Sequence, residues 1–273
     1  MEEVFRGIWV IAYRELLRFV QERSRMLSSF GMPLLFLIIF GAGFNRIIGT
    51  LTPGVDFIKF IYPGIIAMTV LMTSVFSGLS VVWDREFGFL KEVLVAPLSR
   101  TGIVLGKATG GATVAVVQGL ILLVLAPVVG ITLTPLLVIK LVPLLLIISL
   151  TLSGLGILVA SRMRSQQGFH VVVQLMVFPL IFLSGVFFPV NNVPMWLQVI
   201  SKINPLTYGV DAIRQLFISG DLAATGTTVG NSSYAIGVTV FGHTMSLLED
   251  VIVIAVLGSI LIMAAAWSFS KQE

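Results

Sequence analysis

Few side chains in this 273-residue sequence have the type or the spacing to do chemistry. The absence of cysteine removes thiolate metal sites, disulfides and cysteine nucleophiles. His170 and His243 stand alone, without a carboxylate cluster at ligand spacing, so each reads as a local hydrogen-bonding residue and no metal site is expected. Gly106-Lys107 has the ending of a phosphate-binding loop, but Ala108 follows where Ser or Thr is needed, and Thr101 stands in the place of the first glycine. What remains is charge, in two places. Seven charged side chains lie between Trp83 and Lys107: Asp84, Arg85, Glu86, Lys91, Glu92, Arg100 and Lys107, in a protein that is only 11% charged. Further on, Asp211, Arg214 and Gln215 fall at i, i+3 and i+4 on one helical face, which suits an ion pair or a polar rim.

The rest of the composition sets where these groups can sit. Hydrophobic residues make up 57% of the chain, and mean hydropathy is +1.04, whereas soluble domains run at about 45 to 50% apolar and about 25% charged. An integral membrane protein is implied. A net charge of +4 could suit nucleic acid, but the basic residues are dispersed around apolar runs with no basic, aromatic-interleaved face, so no nucleic acid partner is expected. Glu2, Glu3 and Arg6 precede no short apolar core with a small-residue cleavage site, and no cleaved signal peptide is read.

The expected fold class is all-α: a single polytopic membrane domain over residues 1–273 with six transmembrane helices. Spans are predicted at about 28–44, 58–82, 108–130, 136–160, 169–187 and 251–269, each near the ~20 residues a bilayer requires. Residues 3–25 alternate an apolar stripe (Phe5, Ile8, Trp9, Ala12, Leu16, Phe19, Val20) with a charged one (Arg14, Arg18, Glu22, Arg25), the pattern of an interfacial helix. Residues 188–248 are too interrupted for a span. Pro189, Pro194 and Pro205 divide the first half into two short helices that dip into the interface, around Trp196–Ile200 and Leu206–Ile218. The second half, rich in Gly, Thr, Ser and Asn, reads as an exposed loop with some strand at 235–241. With the N-terminus inside, twelve of the seventeen Lys and Arg fall on the cytoplasmic side and five outside, so both termini and the 83–107 loop are expected in the cytoplasm.

The charged island cannot lie in hydrocarbon, where a single unpaired charge costs at least ~2.5 kcal/mol. Phe87, Leu90 and Leu94 recur at helical spacing and Pro97 ends the run, giving a short amphipathic helix held between two spans. Such a helix either passes a push from a soluble partner into the bilayer or is merely a solvated loop, and residue types alone leave both open.

Three runs nevertheless resemble one family. Asp84 to Arg100 reads D-R-E-F-G-x-L-x-E-x-L-V-A-P-L-S-R, with Phe89 where a small polar residue is expected; Ser184 to Pro189 reads S-G-V-F-F-P; and Asn204 to Arg214 reads N-P-L-T-Y-x-V-D-A-I-R. In that order they are similar to the permease subunit of type-2 ATP-binding-cassette exporters, the branch that contains daunorubicin-resistance and nodulation lipo-oligosaccharide exporters. The resemblance implies a half-transporter that pairs with a second copy or a close paralogue and with two cytoplasmic ATPase subunits. ATP and magnesium belong to those subunits; this chain is expected to have no cofactor and no catalytic residue. By position, Asp84, Arg85, Glu86, Phe87, Leu90, Lys91, Glu92 and Leu94 match the family's ATPase-docking coupling helix. Arg14, Arg18 and Glu22 fall in its interfacial elbow, and Phe187, Phe188, Pro189, Trp196, Asn204, Pro205, Tyr208, Asp211 and Arg214 in its outer re-entrant gate. Phe36, Phe40, Phe178 and Phe182 are expected to line a path compatible with an amphipathic drug, a lipid or a lipid-linked glycan. On residue types alone a passive channel or a membrane scaffold or receptor stays open, although no ring of like charges marks an ion-selective pore.

Overall fold

The computed structural model describes residues 2–21, 31, 33–41, 43, 57–87, 100–188, 190, 193–225, 238–240 and 243–270. Among these the architecture is helical apart from one two-strand ladder. α1 (Glu2–Gln21) is amphipathic, and residues 33–41 are helical. α2 (Phe57–Phe76) and α3 (Leu79–Glu86) meet at a turn on Ser77-Gly78 and together form a 30-residue apolar rod. α4 (Arg100–Val124) runs into a 3-10 turn (Ala126–Val129), because Pro127 lacks the amide a helix needs there. Gly130, at φ 76°, closes that turn in the left-handed region that favours glycine. α5 (Pro135–Arg162) opens with proline at its first position and with the Thr134 hydroxyl accepting from the Leu137 amide at 3.3 Å. α6 (Gln166–Phe182) is capped in the same way by Ser165. α7 (Met195–Ile203), α8 (Pro205–Thr225), strands β1 (Thr239–Val240) and β2 (His243–Thr244), and α9 (Leu247–Ser270) complete the order.

Four of these segments are long and apolar enough to cross a membrane: Phe57–Glu86, Thr101–Val124, Pro135–Arg162 and Leu247–Phe269. α6, at 17 residues, reaches only about 26 Å at 1.5 Å per residue, a little short of a hydrocarbon core of about 30 Å. The predicted 28–44 span is described at residues 31, 33–41 and 43, all of them helical. The other boundaries shift for local reasons. The span expected at 108–130 is displaced toward the N-terminus, since α4 already begins at Arg100 and ends at Val124 before Pro127. The span expected to run to Phe187 ends at Phe182, where Leu183 to Gly185 turn the chain with Gly185 at φ 81°. The loop expected over 83–107 is helical at both ends, up to Glu86 and from Arg100; its middle, 88–99, lies outside the described residues. Both stretches expected to be helical after Pro189 are helical, α7 over nine residues and α8 over 21, longer than the short helix expected there, and the strand expected near 235–241 is present as β1.

The core lies among α2, α4 and α5, with α9 packed along α5, α1 along α4, and α8 against α2, α5 and α9. Where helices must approach closely, glycines stand at the crossing. A Cβ on Gly106 would come within 3.0 Å of Ile11, and one on Gly110 within 3.0 Å of Glu15, so the Gly106/Gly110 pair is the bed on which α1 lies. A Cβ on Gly156 of α5 would overlap the Val75 carbonyl of α2. Gly156→Ala is therefore expected to destabilise the fold by about 1 to 3 kcal/mol through overpacking, seen as a lower midpoint of thermal unfolding in detergent.

Candidate coupling and gating sites

The first site forms where α3 ends. Asp84, on the last turn of the rod, is 7% exposed, and its Oδ2 accepts from Lys107 Nζ of α4 at 2.6 Å. The same ammonium donates to Ser80 Oγ at 3.1 Å, and Arg14 of α1 stands 3.9 Å from the carboxylate. A lysine this deep in an apolar helix is tolerated because a carboxylate from the neighbouring helix neutralises it. Arg85 points the other way. Its guanidinium donates to the carbonyls of Ser161 (3.2 Å) and Met163 (2.6 Å), which the end of α5 leaves without helical partners. Glu86 Oε2 accepts from the Gln166 amide at 3.2 Å, placing a carboxylate at the N-terminus of α6. Three consecutive residues thus tie the end of α3 to α4, α5 and α6, with α1 close by. The next residue, Phe87, is 66% exposed.

Asp84, Arg85 and Glu86, expected at the ATPase-docking helix, take their partners from the chain's own helices, because the end of an apolar rod leaves carbonyls, amides and a buried ammonium that need counterparts. Leu90, Lys91, Glu92 and Leu94 lie outside the described residues, as does Glu22. Arg14 and Arg18 do sit on α1 beside this hub, Arg14 3.5 Å from Glu15 and Arg18 at 5.8 Å over the Trp83 ring. The apolar stripe of α1 is split by the packing. Ile11, Ala12 and Phe19 turn toward the bundle, while Trp9, Tyr13, Leu17 and Val20 are exposed.

The second site gathers the outer-gate and path residues. Pro205 opens α8, where the Asn204 Oδ1 accepts from the Leu206 amide at 2.9 Å and its Nδ2 donates to the Leu180 carbonyl of α6 at 2.7 Å. Thr207 and Tyr208 donate back to the carbonyls of Ser201 (2.7 Å) and Lys202 (2.6 Å), fixing the α7–α8 corner. Asp211 and Arg214 take separate partners. Asp211 Oδ2 accepts from the Val238 amide at 2.7 Å and from Gln215 at 3.2 Å. Arg214 donates to the Gly185 carbonyl at 2.8 Å and stacks 4.1 Å over Phe60 of α2. Gln215 also reaches Asp250 of α9 at 3.0 Å. Burial raises the Asp211 carboxyl above the usual range, against the pull of the Val238 amide, and burial lowers the Arg214 guanidinium to about 10. The polar face of Asp211, Arg214 and Gln215 is therefore a buried fastening of α8 to the 183–185 turn, α2, the residues flanking the strand pair and α9.

Phe187 is the hub of an aromatic cluster, with ring centroids 5.3 Å from Phe40, 5.3 Å from Phe182 and 5.9 Å from Phe36. Phe36 and Phe40 stack at 5.4 Å. Phe187, expected at the gate, thus groups with Phe36, Phe40 and Phe182, expected along the path. Phe178 is exposed along α6, Phe188 is half-buried, Trp196 is exposed on α7, and Pro189 lies outside the described residues.

Sequence reading missed Ser80, Lys107 as the partner of Asp84, Phe60 and Asp250. The signal for Lys107 was available: a lysine seven residues into an apolar helix requires a carboxylate nearby, and Asp84 is the acid that ends the preceding rod.

A bundle with four membrane-length helices, a bound amphipathic helix and polar groups committed to helix ends defines a polytopic helical membrane protein. Residues 6–218 match the family model described as ABC-2 type transporter, and the chain belongs to that permease family. It is 31% identical over 217 residues to the putative transport permease ycf38 of Cyanophora paradoxa, covering 77% of this chain and 73% of that protein. It is 33% identical over 167 residues to the probable multidrug ABC transporter permease YbhR of Escherichia coli K12, covering 61% of this chain and 45% of that protein. Nodulation protein J of Rhizobium meliloti strain 1021 is 28% identical over 209 residues, covering 76% of this chain and 79% of that protein.

Proposed function

We propose that this chain is the membrane half of an ATP-driven exporter that moves an amphipathic drug, lipid or lipid-linked glycan outward across the cytoplasmic membrane. Membership of the family implies an ATP-binding partner subunit. In this reading two copies of the chain, or one and a close paralogue, assemble with two such subunits, which hold the ATP and magnesium and do the hydrolysis. This chain contributes no catalytic group. The observation that carries the reading is the hub at Asp84, Arg85 and Glu86 with an exposed phenylalanine next to it. A load applied at Phe87 and the following residues reaches α4, α5 and α6 through rigid polar contacts, without passing through a flexible linker. The aromatic cluster around Phe187, clasped by α8, is the outer end of the path.

The printed name of the Escherichia coli relative points to drugs for that protein; the apolar and aromatic character of the path suits a drug, a lipid or a lipid-linked glycan. The six-span arrangement with cytoplasmic termini is tested by labelling, for which the cysteine-free sequence is a clean background. Arg164→Cys should react only with reagent on the cytoplasmic side and Ser232→Cys only with reagent outside. Reaction of both from one side would remove the six-span topology and the cytoplasmic placement of the hub.

A further inference from the structure

Between α1, the α2–α3 junction, α4 and α6 lies a cleft of about 370 Å³, lined by Glu15, Arg18, Ser77, Ser80, Trp83 and His170 among others. Its volume is in the range of small-ligand sites, about 300 to 1,000 Å³. The aromatic cluster does not reach this space, and of the hub only Ser80 lines its wall. Its chemistry is two-signed. Glu15 brings a carboxylate, and Arg18 a guanidinium held over the Trp83 ring. Glu15 Oε1 is buried without a hydrogen bond, its contact with Arg14 at 3.5 Å being an ion pair only, and the buried Trp83 Nε1 has no hydrogen-bond partner either. Buried polar atoms are ordinarily hydrogen-bonded, so a carboxylate oxygen held only by an ion pair and an indole N–H without a hydrogen bond, in residues lining one cleft, call for a ligand that supplies both a donor and an acceptor.

We propose that this cleft binds a phosphoethanolamine group, presented by an aminophospholipid of the surrounding membrane. A primary ammonium can donate to Glu15, while phosphate oxygens accept from Trp83 and pair with Arg18. A choline headgroup has no N–H to give to the carboxylate, and a glycerol headgroup has no charge to offer it. The membrane is the source because the cleft opens beside α1, whose exposed face carries Trp9, Tyr13, Leu17 and Val20, the amphipathic aromatic pattern of the headgroup zone. Bound there, the lipid would bridge α1 to α3 and α6 next to the Asp84 hub.

The test uses the full chain, delipidated in detergent, with dioleoyl phosphatidylethanolamine, phosphatidylcholine or phosphatidylglycerol titrated in and bound lipid counted by native mass spectrometry. It needs no ATPase and no transport, so its failure is separate from failure of the exporter reading. The wild-type chain should hold phosphatidylethanolamine at least tenfold more tightly than the other two. Glu15→Gln should lose that preference, and Arg18→Gln should weaken phosphatidylethanolamine and phosphatidylcholine alike; unfolding midpoints of both variants check that they fold. Equal retention of all three lipids by the wild-type chain, or an ethanolamine preference unchanged in both variants, overturns the site and leaves a water-filled cleft. Soluble glycerophosphoethanolamine should compete only weakly. If it binds as tightly as the lipid, the membrane source is overturned and a free phosphoethanolamine ester is the ligand.

Discussion

Lys107→Met should lower the stability of this protein by about 3 to 5 kcal/mol, since it leaves the Asp84 carboxylate buried without its cation. Both ends of the pair are buried: the two side chains are 2% and 9% exposed, and the contact is 2.6 Å. Arg14, at 3.9 Å and half exposed, can offset only part of the loss. Asp84→Asn with Lys107→Met should recover much of the stability, because a neutral pair needs no counter-charge and replacing both ions of a buried pair is often close to neutral. A double-mutant cycle on unfolding midpoints in detergent measures this coupling directly. The two variants should still differ in function from the wild type. The double variant keeps the helices folded but loses the ionic link between α3 and α4, so export should fall more than stability does. Equal stability of Lys107→Met and the wild type would show that the pair is not a fastening.

Much of the helical layout was legible because apolar length and periodicity report burial in lipid as directly as they report helix. The ends were less so. α4 begins at Arg100, with Lys107 inside it, because a charge at a helix end can be neutralised by a residue 23 positions away, and spacing within one segment carries no trace of that. The S-G-V-F-F-P run was recognisable, but its consequence, Phe187 meeting Phe36, Phe40 and Phe182, depends on three separate segments converging. Asp211, Arg214 and Gln215 were correctly placed on one helix face, and the partners they take were not deducible. Helical spacing says which residues share a face; it does not say that the face is covered by β1, α9 and the 183–185 turn. In the Gly106-Lys107 dipeptide, a phosphate loop was rightly set aside, while the packing signal, Gly106 and Gly110 one turn apart beneath α1, went unread.

Phe87→Ala with Leu90→Ala should abolish most binding of the ATP-binding subunit. An exposed aromatic beside a rigid hub is the kind of residue that anchors a helix in a partner's groove, with a second anchor three residues on. Loss of such anchors costs about 2 kcal/mol or more, equivalent to about 30-fold weaker docking. Phe87 has its side chain outside the packed bundle, so the variant should insert as the wild type does. Gln166→Ala with Gln167→Ala, in the neighbouring turn at the start of α6, should change docking little. There the contact with Glu86 is made by the Gln166 backbone amide, which the substitution keeps.

The central claim is that force from a separate ATPase enters this chain at Phe87 and the residues after it. Its most direct test is co-purification of the ATP-binding subunit with the wild-type chain and with the Phe87→Ala/Leu90→Ala variant, read together with ATP-dependent export in the same membranes. Partner recovery and export should fall together in the variant while its membrane insertion is unchanged. A variant that retains its partner and exports at the wild-type rate would contradict the account, leaving Phe87 and the residues after it without a docking role.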